Sequence, residues 1–104
     1  MKYLSKKNLT VLDLTGNNLR FLSEVVSKLE KLRTLILSAN NSLNLKQAIE
    51  ALKKLPYLRH IDLSLNELSA LPDNFSDLQS LRWVDLWENN FTVFPEQHRK
   101  TQKI

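Results

Sequence analysis

Two tryptophans, Trp83 and Trp87, stand four residues apart late in the chain, with Asp85 midway between them. Steps of two put all three on one side of an extended strand. His60 and Asp62 repeat that spacing 23 residues earlier. Exposed Trp and Arg are the residue types enriched at binding hot spots. The predicted binding patch is therefore Trp83, Trp87, His60, Leu65, Arg59 and Arg82, with Asp62 and Asp85 as its polar rim. Arg59 and Arg82 continue a row that begins at Arg33. Such a row suits bidentate contact with a carboxylate or phosphate; alternatively it is a solvated row paired with neighbouring acids. The Trp pair has an alternative role too, shielding the last strand or packing under the tail 95–104.

These residue types do not assemble into a catalytic site. His98 lies in the tail, and His60 has no nucleophile set beside it. The single Gly excludes a glycine-rich phosphate loop, and the absence of Cys excludes thiolate chemistry. His60, Asp62 and Asp85 are metal-ligand types, but Ile36 interrupts their column and no closed ligand set results. The sequence predicts a non-enzyme without metal or cofactor.

A repeat positions the patch. The first unit reads Leu9-x-x-Leu12-x-Leu14-x-x-Asn17-x-Leu19, the third Leu58-x-x-Ile61-x-Leu63-x-x-Asn66-x-Leu68, and the fourth Leu81-x-x-Val84-x-Leu86-x-x-Asn89-x-Phe91. The second keeps Leu32, Leu35, Leu37 and Asn40, then slips by one to Leu43. In each unit the two apolar residues two apart share one strand face. A single strand cannot bury that face alone, whereas stacked strands form a parallel sheet over a continuous core. The Asn that follows each strand has both donors and acceptors, and serves the backbone where the chain turns. Stacked Asn residues predict a ladder, with Asn40 buried.

The return halves repeat as well. Leu22, Val26 and Leu29 match Leu71, Phe75 and Leu78 in offset. The second unit instead carries apolar residues at 45, 48, 49, 52 and 55, which is helical spacing. Asn44 with Gln47 is a capping-box start, and Pro56 follows the end. Three extra residues in this unit lengthen a helix on the return side.

These units resemble the leucine-rich repeat family over roughly residues 9–95. The resemblance implies an α/β fold: a short, right-handed, curved solenoid with four parallel strands on the concave face and helices or turns on the convex face. It implies one domain over residues 1–104, with an N-terminal segment 1–8, repeats starting at 9, 32, 58 and 81, and a basic tail 95–104. It also implies recognition of a protein or peptide partner by the concave face. Asp between the strand leucines belongs to the family pattern, so Asp13, Asp62 and Asp85 are equally read as repeat background.

The net charge of +4 belongs to the ends. Residues 9–94 hold nine basic and ten acidic residues, which argues against a nucleic-acid surface spread over the fold. Solenoid ends expose core residues unless capped. Tyr3 and Leu4 are candidates to cover one end, and Phe91, Val93 and Phe94 the other. Without covers, self-association through the edges is the second expectation. Contact of the basic ends with an anionic surface or nucleic acid is the third. No signal-peptide apolar region, no 18-residue apolar stretch and no Cys point to the cytoplasm.

Overall fold

A computed structural model describes residues 8–92. The four strands are β1 (Val11–Asp13), β2 (Thr34–Ile36), β3 (His60–Asp62) and β4 (Trp83–Asp85). They lie parallel in the order β1-β2-β3-β4. The register follows the repeat: Val11, Thr34, His60 and Trp83 align, as do Asp13, Ile36, Asp62 and Asp85. Each strand start is tied to the unit before it by one shared acceptor. The Thr10 carbonyl takes the N–H groups of Arg33 and Thr34, and the Arg33 carbonyl those of Arg59 and His60. The Arg59 carbonyl takes those of Arg82 and Trp83.

The inward residues build the core. Leu35, Leu37, Ile61, Leu63, Val84 and Leu86 are buried, as are Leu22, Val26, Leu29, Leu71, Phe75 and Leu78 from the return halves. The first and third returns are 3₁₀ turns at Glu24–Lys28 and Asp73–Asp77. The longer second unit forms α1 (Leu45–Leu52), whose Leu45, Ala48, Ile49 and Leu52 face the core. A full helical turn needs more chain than a 3₁₀ turn, since it rises only about 1.5 Å per residue.

Only half of the expected capping box forms. The Asn44 side chain accepts the Gln47 N–H at 3.0 Å. The Gln47 carboxamide does not return to Asn44, whose N–H donates to the Arg20 carbonyl instead. It reaches into the first unit, accepting the Leu22 N–H at 2.8 Å and donating to the Leu22 carbonyl at 2.9 Å. A side-chain amide matches a peptide group donor for acceptor, and so satisfies the irregular turn at Leu22.

The Asn ladder stands, with one exception at its start. Asn40 Oδ1 accepts the N–H groups of Asn17 and Leu19, Asn66 Oδ1 that of Asn40, and Asn89 Oδ1 those of Asn66 and Leu68. Their amide nitrogens return to strand-end carbonyls, including Leu14, Leu37 and Leu63. Asn40 and Asn66 are buried. The Asn17 side chain is exposed and, among the described residues, bonds only to the Thr15 carbonyl, since they place no earlier strand beside it.

The first described unit presents core-type residues at its outer side. Leu9, Leu12, Leu14 and Leu19 are only partly buried and line an apolar hollow of about 350 Å³ with Phe21 and Val25 at its rim. At the other end Phe91 packs against the core. The expected covers Tyr3, Leu4, Val93 and Phe94, and both basic ends, lie outside the described residues.

Candidate functional site on the strand face

Parallel strands align equivalent side chains into columns, so one unusual residue stands out against its column. The position two after each strand Asp shows this. Asp13 Oδ1 accepts the Thr15 N–H at 3.0 Å and the Thr15 hydroxyl at 2.5 Å. Asp62 Oδ1 accepts the Ser64 N–H at 2.9 Å and the Ser64 hydroxyl at 2.7 Å. In both units the carboxylate closes the turn off the strand. The Thr15 hydroxyl and then its N–H hold the Asp13 carboxyl below the usual carboxylate range. For Asp13 and Asp62 the repeat-background role is the structural one.

The fourth unit has Trp87 where the others have Thr or Ser, so the second donor is missing. Asp85 turns to the sheet face instead. Its Oδ2 meets His60 Nε2 at 2.7 Å, and its Oδ1 accepts the Trp83 indole N–H at 2.9 Å. The His60 and Trp83 rings meet edge to face, with centroids 5.8 Å apart. Asp85 is thus the half-buried centre of the patch rather than its rim, because it alone is released from turn duty.

The remaining members divide. Trp83 and Trp87 are 45% and 54% exposed, and Leu65 is 50% exposed. Leu65 sits at φ 61, in the left-handed region. Its equivalents Gly16, Ala39 and Glu88 share that conformation, so it reflects the repeat's corner and not local strain at the site. Arg82 is exposed. Arg59 leaves the patch: its Nη1 donates to the carbonyls of Pro56 at 3.3 Å and Ser80 at 3.5 Å, and its guanidinium stands 6.0 Å from the Tyr57 ring centre. Backbone carbonyls within reach hold it at the edge where the strands begin.

Ser38 and Ser64 occupy the same repeat position as Trp87, yet both are buried and their hydroxyls lie 3.1 Å apart. The left-handed residues that follow, Ala39 and Leu65, mark where the chain rolls off the sheet. A metal site does not assemble from His60, Asp62 and Asp85. Asp62 is held by Ser64, and among the described residues no three His, Asp or Glu side chains are grouped to hold an ion.

Leucine-rich repeat family models match two stretches, residues 44–91 and residues 8–29. The chain belongs to the leucine-rich repeat family. The stretch between the matches contains β2 and the slip at Leu43. Comparison with curated proteins gives no match. Leucine-rich repeat domains are generally protein-interaction modules and typically carry no catalytic activity. Among the described residues of this one, no helix is long and apolar enough to cross a membrane.

Proposed function

We propose that this leucine-rich repeat domain binds a partner protein or peptide through the C-terminal half of its strand face. Trp83 and Trp87 are the anchors, and His60, Asp85, Leu65 and Arg82 surround them. One observation carries the reading: Trp83 is exposed yet held by Asp85 and His60. A large aromatic already set in one orientation loses little freedom on binding, so more of its buried area becomes affinity. Arg59 supports the edge from its place beside Tyr57, and Asp62 supports the turn through Ser64.

The test is capture of partners by the intact chain against a Trp83→Ala, Trp87→Ala double variant. Phe21→Ala, at the other end of the chain, serves as control. The proposal expects a set of captured proteins that survives Phe21→Ala and is lost from the double variant. A captured set unchanged in the double variant would overturn it.

A second reading rests on the apolar hollow lined by the first described unit. Apolar surface at a solenoid end favours self-association where it is uncapped. Light scattering over a dilution series tests it, and a constant monomer mass at all concentrations would remove it.

A further inference from the structure

We propose that the hollow between the first three strand units is an anion site that takes a phosphate group. It has a volume of about 260 Å³ and is lined by Thr10, Lys31, Arg33 and Tyr57. The register builds it. Lys31 and Tyr57 each precede the first Leu of their units, and Thr10 and Arg33 each follow it. Parallel pairing of β1, β2 and β3 then sets these positions side by side. The site is separate from the Trp83 patch and does not depend on it.

Among the described residues, no carboxylate neutralises its charge. Among the described residues neither Lys31 nor Arg33 makes an ion pair, whereas Lys53 pairs with Glu50 and Asp77. Glu30, the nearest acid in sequence, is exposed and pairs with neither Lys31 nor Arg33.

The donors favour phosphate over carboxylate. Lys31 is a point charge with three donors, Arg33 a planar fork, and Thr10 and Tyr57 each bear a hydroxyl. A phosphate dianion offers more acceptor oxygens and about twice the charge of a carboxylate. A phosphate on a partner's side chain and free inorganic phosphate present the same chemistry here.

Amide NMR titration tests the site. Inorganic phosphate is added at constant ionic strength against a chloride control. A phosphoserine peptide and the same peptide with Glu in place of phosphoserine follow. The expected result is saturable shifts confined to the amides of Thr10, Lys31, Arg33, Tyr57 and their neighbours. A Lys31→Gln, Arg33→Gln variant should bind at least tenfold more weakly with an unchanged unfolding midpoint. Trp83→Ala should leave the affinity within twofold, which separates this site from the proposed partner face. Tighter binding of the phosphopeptide than of inorganic phosphate assigns the group to a partner; equal binding assigns it to the free ion. Shifts that fail to saturate, shifts equal to those in chloride, or a Glu peptide binding as well as the phosphopeptide would overturn the proposal.

Discussion

Asp85 accepts the indole N–H of Trp83 at 2.9 Å along β4, while Asp62, its register partner, accepts from Ser64. The two carboxylates occupy equivalent positions and do different work. The difference traces to residue 87, where Trp replaces the Ser or Thr that would have held the acid.

Removing that carboxylate should loosen Trp83 more than it destabilises the fold. In a Trp87→Phe background Trp83 is the single tryptophan, and Asp85→Ala should lower the anisotropy of tryptophan-selective fluorescence. The loss of stability should be about 0.5–1.5 kcal/mol by urea unfolding, because Trp83 is half-exposed and water replaces the lost acceptor. Asp85→Asn keeps an acceptor for the indole and should stay near wild type. Unchanged anisotropy in the alanine variant would mean that Asp85 does not orient the ring.

The Asn ladder should be steeply unequal in energy. Asn66→Ala leaves the buried Asn40 N–H without its acceptor, although Leu37 and Leu63 keep bonds from Asn40 and Asn89. A bare buried donor costs about 1–3 kcal/mol, so a loss of about 2 kcal/mol is expected. Asn17→Ala removes one exposed contact and should change stability by less than about 0.5 kcal/mol. Equal losses in urea denaturation would contradict the ladder as described.

Ala39 is an exposed residue at φ 59. A residue with a Cβ is disfavoured there by about 1–2 kcal/mol, and Gly gives back about half through its freer unfolded chain. Ala39→Gly should therefore raise stability by about 0.5–1 kcal/mol. A lower urea midpoint would show that the corner tolerates Ala without strain.

Two carboxyls carry a pH signature. The Thr15 hydroxyl and N–H hold Asp13 below its ordinary 3.8, and Lys53 with Asn74 holds Glu50 below its ordinary 4.5. Groups depressed in the folded state stabilise it above their unfolded values. That contribution is lost as pH falls from these values through the lower folded ones. Carboxyl-carbon NMR titration should place both below their ordinary values. Thr15→Val should return Asp13 toward 3.8; an unmoved Asp13 titration would assign the shift elsewhere.

Much of this molecule is written in one dimension. Leu12, Leu35, Ile61 and Val84 recur because each strand must bury one face, and that recurrence alone predicts four parallel strands and their register. The buried Asn40 and the helix over Leu45–Leu52 are legible for the same reason: local spacing dictates them. The sequence also identifies the strand face that His60 and Trp83 share.

What a side chain does on its face is a three-dimensional matter. The capping-box pattern predicted a local bond for Gln47, but Leu22, 25 residues away, offers a matching donor and acceptor. The Asp column looks uniform until the hydroxyl two residues on is present or missing, and only packing shows where a released carboxylate turns. Arg59 reads as a member of the patch, yet the Pro56 and Ser80 carbonyls draw it to the edge. Periodicity is enforced by burial, which acts on every unit alike. Hydrogen bonds of half-exposed groups depend on whichever partner the neighbouring units bring within about 3 Å, and that is decided only when the units stack.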